Sequence, residues 1–411
     1  MNKLMIVLLA VVLNPLCPVR AQIEPESPNT GQSNLLEGSA WPVDNVTRLT
    51  TSSNIYLSNL DSQIAALEQV LLQRNDGILR ARLALAKYHR FQILARLQDA
   101  EQALQLLQET PPEHNSYHVD LALVQVHMGF HQFEEARQAL MAAKHRGAPP
   151  DSLAEAQRAL DRSVGKNLET QAEHSNTAES STTLIQLVTR AAELVEKGDS
   201  EQASRLLKAA QDDYQDTSPY VLAWIHTQQG IIHLREKNYS EARRFFAAAH
   251  ERFPQYVLPA EHLAETELAL GNYASALELY SAVVNQTAHP EYLQRLAEAE
   301  RALGDESAAK IHEKQAGEGY ADWVHRYPLM YADHAAKYYL EIGETETALE
   351  LATRNSASRT DVSARMLLLQ TQLAAGELGK ACSGTLALKA MGFSPPELQH
   401  IESVLEPECA L

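Results

Sequence analysis

Apolar residues return every three or four positions from about residue 59 almost to the end of the chain, the period that lays one apolar stripe along a helix. Two stretches depart from it. Residues 22–58 are rich in Ser, Asn, Thr, Pro and Gln without sustained periodicity, and read as a disordered leader. Residues 167–183 carry one large apolar residue, Leu168, among polar ones, and read as the body of a linker. The pattern therefore predicts an all-α chain in two lobes. An N-terminal lobe spans 59–162, a linker 163–183, and a larger C-terminal lobe with a capping helix 184–411.

The helices repeat in pairs. Ala242 and Ala276 lie 34 residues apart, and each follows a turn and a tyrosine: Lys237-Asn238-Tyr239 and Gly271-Asn272-Tyr273. Gly-plus-acid turns recur at Gly198-Asp199, Gly304-Asp305, Gly343-Glu344 and Gly376-Glu377. About five residues after each glycine stands Ala203, Ala309, Ala348 or Ala381. Ala103 and Ala136 keep the same rhythm in the first lobe. A small residue at a crossing lets two antiparallel helices approach, and Gly or Asn ends the first of them. One such hairpin cannot bury its own apolar face, so the repeats must stack.

This pattern resembles the tetratricopeptide repeat. The unit Ala223 to Tyr256 carries Gly230, Ala242, Phe246, Ala249 and Pro254 at the family's positions, with His226 and His233 where the family prefers Trp and Tyr. The next unit, Val257 to Pro290, puts Ala264 in place of the first glycine and keeps Gly271, Ala276 and Tyr280. More degenerate units cover most of residues 60–395. The resemblance implies a right-handed superhelical solenoid of antiparallel hairpins that acts as a non-enzymatic scaffold. It further implies that a protein or peptide client lies along an inner groove lined by the first helix of each pair. Carried over by phase, the groove candidates are Trp224, Thr227, Arg235, Glu261, Glu265, Glu298, Arg301, Asp333 and Lys337. Trp224 has a competing reading, packing against the preceding insert near Tyr214 and Tyr220.

The first residues suggest where the protein works. Met1-Asn2-Lys3 precedes an unbroken apolar run from Leu4 to Leu13, Asn14-Pro15 breaks it, and Val19-Arg20-Ala21 offers a cleavage site. This reads as a secretory signal peptide cut after Ala21, giving a periplasmic bacterial protein. The run is too short to span a bilayer, and no later stretch is longer, so no transmembrane segment is expected in the mature form. Asn14-Pro15-Leu16 ahead of Cys17 does not fit a lipidation signal, so an outer-membrane lipoprotein is not expected. A eukaryotic secreted origin would instead make Asn45, Asn238 and Asn285 glycan acceptors.

Net charge narrows the partners. With 53 acidic against 35 basic residues the formal charge is −18, which repels phosphate backbones and excludes general nucleic-acid binding. Two cysteines remain after signal removal. A disulfide between Cys382 and Cys409 is expected in an oxidising compartment, because a helix from about Glu397 to Leu405 would bring the chain back toward Cys382.

Catalytic chemistry finds no purchase. Sixteen histidines include pairs four apart at His114/His118 and His127/His131, but the neighbouring Pro111-Pro112 and Gly129 take one member of each off the helix. No metal site, cofactor or catalytic residue is expected, and no nucleophile elbow, phosphate loop or dinucleotide fingerprint occurs. Two settings for the scaffold remain open: cell-envelope assembly or secretion, and an exopolysaccharide synthesis or export machine.

Overall fold

A computed structural model describes residues 49–166 and 184–406, residue 75 apart, together with Cys409. The signal peptide, most of the leader and the 167–183 linker lie outside the described residues. Every regular element described is a helix. The first lobe contains α1 (Ser53–Gln73), α2 (Gly77–Leu94), α3 (Leu97–Gln108), α4 (Tyr117–Gly129), α5 (Phe133–His145) and α6 (Pro150–Ser163). The second begins with α7 (Leu184–Glu196), α8 (Ser200–Asp213), α9 (Pro219–Arg235), α10 (Tyr239–Arg252), α11 (Val257–Ala269), α12 (Tyr273–Gln286) and α13 (Pro290–Ala302). It continues through α14 (Glu306–Arg326), α15 (Ala332–Glu341), α16 (Thr345–Ser358), α17 (Val362–Ala374), α18 (Leu378–Ala390) and α19 (Pro396–Leu405). No described helix is long and apolar enough to cross a membrane.

The hairpins form where the repeat places them. All eight crossing alanines, Ala103, Ala136, Ala203, Ala242, Ala276, Ala309, Ala348 and Ala381, are completely buried. Gly271 shows why the turns recur. It takes φ +79°, its N–H reaches Leu268 O at 3.0 Å, and the Asn272 N–H reaches Glu267 O at 2.9 Å. This left-handed cap satisfies two carbonyls that the end of α11 would leave bare. Lys237 makes the same turn with φ +59°. At the α9–α10 crossing, a Cβ on Gly230 would lie 2.5 Å from the ring of Phe246. Any larger residue there would push α9 and α10 apart or displace the ring. Phe246 is wholly buried there, worth about 2–3 kcal/mol of removed apolar surface.

One boundary needs correction. The leader was expected to run to residue 58, but α1 begins at Ser53. Ser52 Oγ accepts from the Ile55 N–H, the Thr51 N–H reaches Thr217 O at 2.9 Å, and Tyr56, Leu57, Leu60 and Ile64 form an apolar face. The Ser- and Asn-rich start of α1 is a cap, not an unstructured tail.

The two lobes share their core. Leu60, Ile64, Leu83, Ala86, Ile93 and Leu94 of α1 and α2 interlock with Tyr220, Ala223, Ala249, Phe253 and Tyr256 of α9 to α11. Farther along, Tyr327 and Met330 pack on the α2–α4 cluster, and the Thr360 N–H bonds to Val164 O at 2.9 Å. The second lobe also curves back on itself. The Ser394 N–H reaches Glu196 O at 3.2 Å, tying the chain just before α19 to the end of α7. Cys382 in α18 is joined to Cys409 beyond α19 as a disulfide, with Cα atoms 6.0 Å apart.

Candidate functional site

The first helices of successive pairs, α11, α13 and α15, turn polar side chains toward the first lobe. α11 is fixed by Ala264, which packs with Ala276 and Tyr280, and this orientation presents Glu261, His262 and Glu265 on another side. α13 adds Glu291 and Tyr292, and α15 adds Asp333, His334 and Lys337. Opposite them stand Tyr88 and Phe91 of α2, His131 after α4, and Arg162 at the end of α6. Between the two walls lies a cavity of about 230 Å³.

Its walls are aromatic and densely ionic. His334 donates from Nδ1 to Glu291 Oε2 at 2.9 Å, while Arg359 reaches Asp333 at 3.2 Å and Asp361 at 3.1 Å. Burial alone would raise Asp333, but His334 and Arg359 hold it well below the carboxylate range. His289 goes the other way. Burial, with His334 beside it, pushes its imidazole down to about 3, so it stays neutral. Burial and the Arg359 cation similarly push His131 down to about 4. His262 Nδ1 lies 3.1 Å from Glu261 Oε2 and 3.2 Å from Glu265 Oε2. Burial opposes protonation of His262, yet the field of those two carboxylates raises it above its ordinary value. Charges buried this way persist only when paired, and nearly every one here is.

Of the nine groove candidates, Glu261, Glu265, Asp333 and Lys337 come together on this cavity. The other five lie elsewhere. Trp224 packs against two core clusters, one containing Tyr220 and the other Tyr214. Thr227 is fully buried and its hydroxyl bonds back to Ala223 O at 2.7 Å. Arg235 is buried between Glu196 and Glu397, each at 3.0 Å. Glu298 pairs with Arg295 at 2.7 Å, and Arg301 pairs with Glu306 and Glu313 on the surface. The cause is the docked first lobe and the closing end of the second, which cover α9 and leave the far end of α13 in solvent. Sequence phase also missed His262 and the residues of the first lobe. Repeat phase says which side of a helix faces inward, but not what a separate lobe lays against it.

Residues 233–300, from the end of α9 through α13, match the family model described as tetratricopeptide repeat. No curated protein matches the chain. Among solved structures, yeast Tom70 is 14% identical, with 86% of this chain and 93% of that one covered at a TM-score of 0.31. A tetratricopeptide repeat protein from Parabacteroides merdae is 18% identical, with 54% and 98% covered and a TM-score of 0.29. A Rap protein complexed with competence and sporulation factor is 12% identical, with 71% and 90% covered and a TM-score of 0.41. Proteins of this repeat type are generally non-enzymatic scaffolds for other proteins. Residues 233–300 therefore carry the tetratricopeptide repeat, and the described helices on either side of them stack as hairpins in the same manner.

Proposed function

We propose that the protein is a periplasmic, non-enzymatic scaffold that holds a short extended segment of a partner protein between its two lobes, in cell-envelope assembly or secretion. The cavity carries this reading. An α-helix with its side chains is about 10–12 Å across. A space of about 230 Å³ holds a few side chains, not a helix laid along an open groove. Its walls suit a peptide: carboxylates of α11 for a cationic group and aromatic rings for apolar side chains. The apolar run Leu4–Leu13 supports export, and the Cys382–Cys409 bond suits an oxidising compartment.

A photo-crosslinking residue in place of Ser363, which lines the cavity, tests this in intact cells. One at exposed Met141 on α5 serves as the control. A discrete protein adduct from position 363 alone is expected, in the osmotic-shock fraction. Adducts of equal yield from both positions would overturn the cavity as the binding place. Retention in the cytosol would overturn the envelope setting, and a co-purifying glycan polymer without a protein adduct would move the protein to polysaccharide export.

A further inference from the structure

α11 brings one imidazole and two carboxylates to a point. Glu261 Oε2 and Glu265 Oε2 lie 3.1 and 3.2 Å from the same atom, His262 Nδ1, and all three lie within 4.8 Å of one another. A proton on Nδ1 can serve both oxygens only as a three-centre bond, while a cation seated between the three atoms would meet each of them directly. Ligands around a four-coordinate ion with bonds of about 2.0–2.1 Å stand about 3.3–3.4 Å apart, close to both separations found here.

The surroundings point the same way. The Glu261 side chain is 8% exposed, lines the cavity and has His262 as its ion-pair partner. His262 is held in place by Phe246, stacked with ring centroids 5.1 Å apart. Glu291 is taken by His334. Three ligands within five residues of one helix, backed by an aromatic ring, are already oriented.

We propose that Glu261, His262 and Glu265 bind one divalent ion of the zinc class, with one coordination position open to the cavity. The donor set selects the ion. One imidazole nitrogen with two carboxylate oxygens suits Zn²⁺ and its first-row neighbours, whereas Ca²⁺ and Mg²⁺ favour cages of oxygen alone. Two carboxylates also balance the ion's charge, so the wall would bury a neutral unit. This site departs from the sequence-level expectation of no metal, and it does not depend on the cavity taking a peptide.

The untagged full chain, stripped by a chelator and dialysed, is titrated with Zn²⁺ by calorimetry and with Co²⁺ by visible absorption. One ion per chain is expected, with a Co²⁺ band of the intensity that four-coordination gives. Glu265→Gln should weaken Zn²⁺ by at least about tenfold while the far-ultraviolet circular dichroism stays unchanged. Glu261→Gln serves the same purpose if that variant misfolds. Glu298→Gln, outside the triad, should bind like the parent chain. Absence of stoichiometric Zn²⁺ binding, equal affinity in E265Q and E261Q, an equal loss in E298Q, or preference for Mg²⁺ or Ca²⁺ would each overturn the site.

Discussion

Arg235 grips Glu397 with two hydrogen bonds of 3.0 Å, across 162 residues of sequence. The same guanidinium reaches Glu196 at 3.0 Å, so one side chain in α9 joins the end of α7 to the start of α19. Its side chain is 4% exposed and the two carboxylates 11% and 8%, so the closure of the second lobe buries all three groups.

Removing one member should therefore be costly. Glu397→Gln leaves the Arg235 cation with half its compensation, and breaking a buried pair typically costs about 3–5 kcal/mol. Urea unfolding should show a loss of that order for Arg235→Met, and a smaller one for the R235M/E397M pair. A double variant that loses the sum of the single ones would show that the two do not act as a pair.

Part of this architecture could be read from sequence and part could not, for a physical reason. Ala242, Ala276 and the turn at Gly271 report contacts between neighbours in the chain, and local spacing fixes those. The Arg235–Glu397 clamp depends on a small rotation per repeat accumulated over five hairpins, which no single residue carries. Arg235 was accordingly expected in the groove, where its phase puts it, and lies instead in a closure. Four groove candidates reached the cavity because α11 and α15 lie under the first lobe; Glu298 and Arg301 keep the same phase but sit beyond its reach. Its placement rests on packing between α1–α2 and α9–α11, contacts more than a hundred residues apart.

That packing has its own consequence. A fragment of residues 184–411 alone would uncover Tyr220, Phe253 and Tyr256, which the first lobe now covers. It should remain helical, because stacked repeats are stabilised by nearest neighbours. It should also bind a hydrophobic dye and self-associate, which the full chain should not. A monomeric fragment with no dye binding would mean that the shared core contributes little.

The Gly230–Phe246 contact predicts a coupled pair. In Gly230→Ala the new Cβ would lie 2.5 Å from a ring that has nowhere to move. Overpacking of this kind costs about 1–3 kcal/mol, against which alanine's helix propensity returns about 1 kcal/mol. Phe246→Leu should then recover part of the loss in the double variant. Gly271→Ala is the contrast: its Cβ meets nothing, its φ of +79° alone is at fault, and F246L should not rescue it. Equal rescue of both would sink the steric explanation.

His226 predicts how the fold responds to acid. The ring is fully buried, neither nitrogen has a hydrogen-bond partner among the described residues, and burial with nearby Arg252 pushes it down to about 3. In the unfolded chain it titrates near 6.5. Between those values the unfolded chain holds the extra proton. Stability is thus fully present above about pH 6.5 and falls as the pH drops toward 3. The part due to this residue between pH 7 and 5 is about 2 kcal/mol. His226→Leu should lose that much less over the same interval, measured by urea unfolding at both pH values. An unchanged difference would mean that the ring is already hydrated.

The disulfide and the clamp should prove to be one device. Cys409 lies just beyond α19, and its bond to Cys382 closes a separation of 27 residues, worth about 3–4 kcal/mol by restricting the unfolded chain. Its local effect should be larger than its global one. α19 is a ten-residue helix, too short to persist without tertiary contacts, and it carries Glu397 in its first turn. Pinned at its far end, it keeps that carboxylate on Arg235. Released by Cys382→Ser with Cys409→Ser, it should fray and take the clamp with it. Amide exchange over 396–405 should then speed up before the rest of the lobe loosens. Adding Glu397→Gln to the serine pair should cost much less than Glu397→Gln alone, since the contact is already lost. Strict additivity of the two losses, or unchanged exchange in α19, would show that the helix holds its place without the bond.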